Sequence, residues 1–365
     1  GDLMPEVYMA NDFGPARLLH NLSRPGALQF ALLEGSGHLT TPRSKVLGRD
    51  SFKGMGVEFA DLNGDGMLDI YVSNITTEFG LQESQLAFLG TGETSVMAGG
   101  IAPFEDAGEQ LGLARTGWCW EARAGDFDND GISELMQATG FVRGTTDRWP
   151  ELQELAMGND ALLHLPAFWP RVRMGDELSG HSSNPFYVRS SSGRYVDLSE
   201  KIGLDAPQVS RGLATADVDG DGRLDFAVAN QWETSYFYHN DATSSGSFLG
   251  LHLLVPLRQR APSVTRVRAG HPGIDTPGRP AIGASATAIR PDGMRLVGQV
   301  DGGNGHSGKR SPDLQFGLGR SAPGESLTVN LAWRDPNGRA RKESVRLPTG
   351  WHTIVLGWPE EGSSP

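Results

Sequence analysis

The sequence predicts an all-β protein in which a partial β-propeller precedes a small antiparallel β-sandwich. Short runs rich in β-branched and aromatic residues, such as LDIYVSN and LDFAVAN, are bounded by turns in a chain of 365 residues with 49 glycines and 22 prolines. An acidic phrase recurs about every 60 residues in the first part of the chain. Strand-like runs separated by Gly, Pro and Asp-Gly turns continue through residues 248–358. A long repeat of short strands favours blades that pack side by side, because one blade cannot bury both of its faces.

The repeated phrase has the pattern D-x-[DN]-x-D-G-x-x-[DE], followed by a short apolar run. It reads DLNGDGMLDIYVSN at 61–74, DFDNDGISELMQAT at 126–139 and DVDGDGRLDFAVAN at 217–230. The opening GDLMPEVYMAN aligns with residues 64–74, so that Asp2 and Glu6 take the places of Asp65 and Asp69. We therefore expect the chain to begin inside a repeat unit.

The spacing of the acids predicts a site for a hard cation. Side chains at alternate positions of a tight loop can turn toward one point, and together with a backbone carbonyl they offer only oxygen ligands, which suits Ca²⁺. The glycine at the sixth position permits the sharp turn that such a loop needs. The predicted ligands of three complete sites are Asp61, Asn63, Asp65, Met67 (carbonyl) and Asp69; Asp126, Asp128, Asp130, Ile132 (carbonyl) and Glu134; and Asp217, Asp219, Asp221, Arg223 (carbonyl) and Asp225. Asp2 and Glu6 would belong to a fourth, partial site.

These loops differ from EF-hands, in which a glutamate at position 12 closes the site and a helix follows. Here a strand-like run follows each loop. The alternative is a set of Asp-Gly turns without an ion. The loop carboxylates roughly equal in number the formal net charge of −12, which favours acidity concentrated at metal sites over a generally acidic surface.

The acidic loop, its glycine-bearing lead-in and the strand after it resemble FG-GAP/VCBS repeats, as in integrin-type β-propellers. The stretch from RPAIGASATAIRPDGMRLVGQVDGGNGHSG through LQFGLG to LTVNLAWRDPNG resembles the ASPIC/UnbV domain. Together they resemble the cartilage acidic protein-like family of secreted proteins. The resemblance implies an extracytoplasmic, calcium-stabilised propeller with adhesion, matrix or scaffold roles and no settled catalytic residues. About three and a half blades cannot close a seven-bladed ring, so we expect missing N-terminal blades or neighbouring subunits to complete it.

The sequence divides into a propeller segment at 1–246 and an ASPIC/UnbV-like β-sandwich at 247–365. The insert at about 145–185 exceeds a minimal blade and contains a predicted short helix within RWPELQELAMGND. It is interpreted either as a cap on the propeller or as an aromatic partner surface formed by Trp149, Phe168 and Trp169. Lys309 and Arg310 either contact an anionic partner or are solvated.

Several classes of function are disfavoured. The acidic balance argues against nucleic acid, and no apolar run reaches the length of a membrane helix. Cys119 is the single cysteine, so no disulfide framework is expected. No H-E-x-x-H or G-x-S-x-G motif occurs, and GNGHSG at 303–308 fits G-x-G-x-x-G but precedes Pro312 and a strand-like run, which favours a surface turn.

The sequence therefore predicts a non-enzymatic, extracytoplasmic calcium-binding scaffold or adhesion protein that binds a protein or a glycan. Two alternatives remain open at this point. One is an accessory subunit of a larger cell-envelope complex. The other is a polysaccharide-active propeller enzyme, which a cluster of His, Tyr, Arg and carboxylates at the central axis would favour.

Overall fold

A computed structural model shows an all-β architecture with only short helices. The structure describes residues 2–12, 14–50, 53–76, 84–158, 162, 165–257, 262–276, 278–301, 305–321 and 325–358. Within this part of the chain, four four-stranded sheets precede one five-stranded and one further four-stranded sheet, and the first four do not close into a ring. The prediction of a partial β-propeller is confirmed.

The first two sheets are called blades 1 and 2. The strands of blade 1 are, in spatial order, Val7–Met9, Arg17–Asn21, Phe30–Gly35 and Ile101–Ala102. The strands of blade 2 are Val57–Ala60, Asp69–Val72, Leu86–Gly90 and Phe104–Asp106. Apolar side chains of both sheets form one cluster, so neighbouring blades share a core, as stacked repeats must.

Blades 3 and 4 repeat this plan with one difference. The strands of blade 3 are Cys119–Gly125, Glu134–Thr139, Phe186–Arg189 and Tyr195–Asp197. Those of blade 4 are Ser210–Ala216, Asp225–Asn230 and Tyr236–Tyr238, with Lys309–Arg310 added beside Ser210–Ala216. The added strand runs parallel to its neighbour and comes from the C-terminal part of the chain.

Each acidic phrase lies in the turn of a β-hairpin. The residue before the loop pairs with the closing acid of the loop, as in Ala60 with Asp69, and the same pairing recurs in blades 3 and 4. Because the flanking strands fix both ends of the loop, nine residues must curl into a compact turn in all three blades. A strand follows each loop, as the apolar runs predict.

The insert forms a small separate layer. Thr146–Asp147 pairs in parallel with Asp176–Glu177, and the helix Trp149–Gly158 lies where the sequence predicts one. The remaining helical segments are Gly108–Leu111 and the 3-10 turns Arg43–Lys45, Thr94–Gly99, Pro166–Phe168 and Glu200–Ile202. None of the helices in the described residues is long and apolar enough to span a membrane.

The C-terminal sheets face each other across the largest apolar cluster of the molecule, which includes Leu251, Phe316, Val329 and Trp333. The first sheet contains Arg266–Ala269, Gly350–Val355, Ser247–Pro256, Gly278–Pro280 and Leu314–Gly319. The second contains Arg295–Gln299, Ser285–Ile289, Ser326–Arg334 and Ala340–Pro348. We call this pair of sheets the sandwich; alternation of buried and exposed residues along Ser326–Arg334 shows that one face is buried.

Candidate metal-binding loops

We name the three acidic loops after their blades: loop 2 spans residues 61–69, loop 3 spans 126–134 and loop 4 spans 217–225. An equivalent hydrogen bond occurs inside each loop. The N–H of the sixth residue donates to the first aspartate at 2.8 Å in Asp61, Asp126 and Asp217 alike. The sixth residue is glycine with φ between 80° and 96° in all three loops. A left-handed backbone favours glycine there, so the repeated glycine has a conformational cause.

The last acid of each loop bonds back to the beginning of the loop. Asp69, Glu134 and Asp225 accept a hydrogen bond from the N–H of the second loop residue at 2.8, 2.8 and 3.0 Å. All three closing carboxyl groups are buried, at 0%, 4% and 1% exposure. The loops thus hold their first and last acids in fixed, largely buried positions, which is the preorganisation that a cation site needs.

Loops 3 and 4 bring their carboxylates close together. Ligand atoms of Asp126, Asp128 and Glu134 lie within 4.8 Å of one another, and those of Asp217, Asp219 and Asp225 do so as well. Among the described residues no such trio of acids gathers in loop 2. Its third position is Asn63, whose Nδ2 donates to Asp65 at 2.9 Å.

Burial raises the pKa of acids in loops 2 and 3 above their usual range. The pKa of Asp126 rises to about 7 and that of Glu134 to about 9, chiefly through burial, with a smaller contribution from the neighbouring loop acids. Burial likewise raises the pKa of Asp69 to about 6. A low-dielectric site disfavours uncompensated carboxylates, so a divalent cation would replace these protons as the counter-charge.

Among the described residues, loop 4 alone of the three has carboxylates paired with basic side chains. The His239 Nε2 atom is 3.0 Å from Asp219 Oδ2, and Arg223 forms an ion pair with Asp221. The bond with His239 lowers the pKa of the Asp219 carboxyl. Asp219, Asp221 and His239 form a third cluster of candidate ligand groups, fully on the surface.

The partial site at the N-terminus is less assembled. Asp2 accepts a hydrogen bond from the N–H of Met4 at 2.9 Å, and Glu6 lies 2.9 Å from His20 Nδ1. In the part of the chain that the structure describes, neither acid joins a trio of candidate ligands. The fourth site stays a prediction.

The sandwich rests directly on loop 3. Gly246 and Gly319 donate backbone N–H groups to the carbonyls of Asp128 and Asn129, both at 2.7 Å, and Arg290 Nη1 donates to the Asp130 carbonyl at 2.8 Å. Three consecutive backbone oxygens of the loop therefore bind groups in or beside the sandwich, and the Asp126 carboxylate lies close to Gly317 of the sandwich.

Loop 4 contacts the sandwich through a loop side chain as well as through the backbone. Trp351 Nε1 donates to Asp217 Oδ2 at 2.8 Å, and Gln315 Nε2 donates to the Gly222 carbonyl at 2.8 Å. A Cβ atom at Gly222 would lie 1.9 Å from the ring of Phe248. The glycine thus serves both the loop conformation and the close approach of the sandwich. No local sequence pattern signals these contacts.

A second polar cluster, at the first strands of blades 2 and 3, was not predicted. Glu58, Glu121 and Arg123 are fully buried there, with Arg123 2.9 Å from Glu58 and 3.1 Å from Glu121. Arg310 Nη1 lies 2.7 Å from Glu58 and also pairs with Asp301. Buried charges are tolerated only when they are paired, and this cluster pairs acids of blades 2 and 3 with Arg123 and with Arg310 of the added strand of blade 4.

The segment 305–310 supplies the remaining donors to this cluster. Glu121 Oε2 accepts the backbone N–H groups of Ser307 and Gly308 at 2.7 and 2.8 Å, and Ser307 Oγ donates to the Arg211 carbonyl at 2.7 Å. Residues 302–304, which include the start of the GNGHSG phrase, lie outside the described residues. Residues 305–307 of that phrase are exposed, as expected of a surface turn, while Ser307 and the buried Gly308 also bond to the blades.

The candidate partner residues fall into two groups. Trp149 and Trp169 pack against a small buried cluster of the insert, whereas Phe168 is 57% exposed. Lys309 is exposed, but Arg310 is engaged in the ion pairs described above. Of the five, Phe168 and Lys309 remain open to a partner in this structure.

The repeated loop and the C-terminal sandwich define the class of protein. Residues 1–72 match the family model described as FG-GAP-like repeat, and residues 211–247 match the FG-GAP repeat. Residues 275–363 match the model described as ASPIC and UnbV. The chain thus contains FG-GAP repeats and a C-terminal ASPIC and UnbV domain, as its motifs indicate. FG-GAP repeats mediate protein interactions, and proteins that contain them are generally extracellular. A search of curated proteins found no match to this sequence.

Proposed function

We propose that this protein is a calcium-stabilised extracytoplasmic scaffold that binds a protein or glycan partner and has no catalytic centre of its own. The observation that carries the proposal is the shared construction of the three loops. Each holds its first and closing acids by the same hydrogen bonds, and two of them gather three carboxylates within 4.8 Å. Oxygen-only ligand sets of this kind suit Ca²⁺.

The ligands in loop 3 would be the carboxylates of Asp126, Asp128, Asp130 and Glu134 with the carbonyl of Ile132. Corresponding positions would serve in loops 2 and 4. A bound ion would cancel the mutual repulsion of the acids and replace the protons that burial makes them hold. Backbone carbonyls of loop 3 accept hydrogen bonds from Gly246 and Gly319. Calcium in this loop would therefore stabilise the contact between blade 3 and the sandwich as well as the blade itself.

The proposed binding surface lies on loops held by this rigid framework. The insert at about 145–185 presents Phe168, and the turn after Asp225–Asn230 presents Trp232 at 80% exposure with a φ of 62°. A strained, exposed tryptophan is a feature that recurs at functional sites. These side chains support partner binding at the blade loops remote from the acidic hairpins.

A second candidate, a subunit of a larger assembly, is favoured by blade 1. Val7, Met9, Phe30 and Leu32 are each about two-fifths exposed there. An open cavity of about 1740 Å³ lies between the four blades and the sandwich, and Val7 is part of its lining. Exposed apolar side chains beside a wide cavity suit contact with further blades or with another chain.

Calcium binding to the full chain tests the proposal. Isothermal titration calorimetry with CaCl₂ should show ions binding to protein stripped of metal. Asp128→Ala should reduce the stoichiometry by one ion per chain, because it removes one ligand of loop 3 and leaves the other loops intact. Asp205→Ala, at an exposed acid outside the loops, is the matched control. Equal stoichiometry in the two variants, or no heat of binding at all, would contradict the proposal.

A further inference from the structure

Two histidines of the sandwich meet beside loop 4. His252, on the strand Ser247–Pro256, is 8% exposed, and its Nε2 atom lies 2.9 Å from Nδ1 of the exposed His271. On the other side of the same ring, Nδ1 lies 2.5 Å from Asp313 Oδ1. Trp351 stacks on His252 with ring centroids 4.7 Å apart. The pair is thus held in place by a carboxylate and an indole ring.

The carboxylate fixes which nitrogen of His252 is free to bind. An ionised carboxylate can only accept hydrogen bonds, so Nδ1 of His252 carries the proton that it donates to Asp313. Ser311 also donates to Asp313 and holds that carboxylate in place. His252 Nε2 then accepts a hydrogen bond from His271 Nδ1–H. A metal ion would take the place of that hydrogen once His271 carries its proton on Nε2 instead. A histidine whose second ring nitrogen is bound to a carboxylate is the usual arrangement of a metal ligand.

The separation of the two nitrogens fits two ligands of one ion. Metal–imidazole bonds are about 2.0–2.1 Å long, so two such ligands at right angles lie about 2.9 Å apart. Right-angled nitrogen ligands are typical of Cu²⁺ and Ni²⁺, and copper binds most tightly in the divalent series. We propose that His252 Nε2 and His271 Nδ1 form a binding site for a divalent transition metal of this type, separate from the acidic loops.

The surroundings allow an ion to enter and leave positions for further ligands. His252, His271, Asp313 and Trp351 all line the cavity of about 1740 Å³. Among the described residues no third His, Cys, Asp or Glu joins the pair closely enough to complete a trio. Water or an incoming molecule would therefore occupy the remaining positions. Glycine at 220 leaves room for the second ring, because a Cβ atom there would lie 3.0 Å from His271 Nε2.

The site is distinct in chemistry from the proposed calcium loops. Imidazole nitrogens suit borderline metals, whereas calcium takes oxygen ligands. The inference therefore does not rest on calcium binding. The negative charges of Asp313 and Asp217 favour a cation at this position, although neither carboxylate would bind the ion directly. Asp217 is the acid that accepts the Trp351 indole N–H.

The test uses the full chain in saturating calcium, with CuCl₂ titrated in a buffer that does not coordinate copper. Quenching of tryptophan fluorescence reports binding beside Trp351, and electron paramagnetic resonance counts the nitrogens on copper. His271→Ala should weaken copper binding at least tenfold and remove one nitrogen coupling. Asp313→Asn should weaken it about 10–100-fold through loss of the outer partner of His252.

His38→Ala is the matched control, since His38 is an exposed histidine of blade 1 whose side chain is 79% exposed. It should bind copper as the parent protein does. Circular dichroism confirms that each variant is folded. Equal copper affinity for His271→Ala and His38→Ala would overturn the inference. So would a resonance spectrum of oxygen-only ligands, which would place the copper in the acidic loops.

Discussion

With calcium bound in loop 3 as proposed, its removal should destabilise the protein more at alkaline than at acidic pH, because at acidic pH protons can take its place. Burial raises the pKa of Asp126 from 3.8 to about 7 and that of Glu134 from 4.5 to about 9 in the ion-free fold. At a pH between the ordinary pKa and the raised pKa of each group, the folded state binds more protons than the unfolded state. Stability then falls as pH rises. The proton contribution is fully present below about pH 4 and is lost as the pH rises through about 7 for Asp126 and about 9 for Glu134.

The size of the effect follows from the same two pKa values. One pKa unit corresponds to about 1.4 kcal/mol. Between about pH 5.5 and 8.5 the ion-free fold should lose roughly 2 kcal/mol through Asp126 and roughly 4 kcal/mol through Glu134. With an unfolding entropy of about 2.1 cal/mol/K per residue, each kcal/mol shifts the melting temperature of a chain of this length by roughly 1–1.5 °C. The expected fall is therefore about 6–9 °C at most.

The assay is differential scanning calorimetry of protein stripped of metal on a chelating resin, with and without millimolar CaCl₂, across this pH range. Calcium replaces the protons, so the loaded protein should change little and the gap between the two curves should widen with pH. At a hundredfold excess over its dissociation constant, each bound ion adds about 2.7 kcal/mol.

Glu134→Gln is the variant that isolates the cause. Its neutral amide imitates the protonated acid and keeps an oxygen near the Phe127 N–H, which Glu134 binds at 2.8 Å. Without calcium, this variant should show a smaller decline in melting temperature with pH, and it should gain less from calcium. The reasoning fails if the ion-free protein melts at one temperature throughout the range, or if the variant retains the full decline.

Three further predictions concern the contact between blades and sandwich. Trp351→Phe removes the hydrogen bond to Asp217 and keeps an aromatic ring, so urea unfolding should show a loss of about 1.5–3 kcal/mol; a loss below about 0.5 kcal/mol would mean that the bond contributes little. Arg310→Met leaves the buried Glu58 with one partner fewer and should lower the free energy of unfolding by about 3–5 kcal/mol. Adding Glu58→Gln should recover part of that loss. A double variant that is no more stable than Arg310→Met would refute the charge argument. Gly308→Ala would place a Cβ atom 2.0 Å from a backbone carbonyl of blade 4, so limited proteolysis should cut near this strand faster than in the parent, and an unchanged digestion pattern would count against the contact.

The loops were predictable because their information is local. Nine consecutive residues contain the turn, the glycine and the acids, and the apolar run after each loop predicts the strand that follows. The hydrogen bond from the Gly131 N–H to Asp126 repeats in the other loops for the same reason. Local sequence also marks the strands of the sandwich, where alternation along Ser326–Arg334 matches one buried face.

The contacts between the parts could not be predicted in this way. Arg310 and Glu58 are far apart in the sequence, and neither stands in a periodic pattern that would mark it as buried. Lys309 and Arg310 were interpreted as a solvated or partner-binding pair, because two adjacent basic residues in a Gly-rich stretch are usually exposed. Their strand lies beside blade 4, and the N–H of Gly308, just before it, donates to the fully buried Glu121. A buried carboxylate needs such donors, but a single sequence does not show that Glu121 is buried.

Loop 4 brings the local and the long-range features together in one side chain. Asp217 Oδ2 accepts the Gly222 N–H within the loop and the Trp351 indole N–H from the sandwich, both at 2.8 Å. An ion bound as proposed would draw electron density from that same oxygen and would also fix the backbone of Gly222, whose carbonyl accepts a bond from Gln315. Any ligand that binds only one arrangement of a shared group shifts the equilibrium toward it. With calcium bound in loop 4 as proposed, its affinity and the contact of the loop with the sandwich would be coupled, and a change in one would change the other by the same free energy.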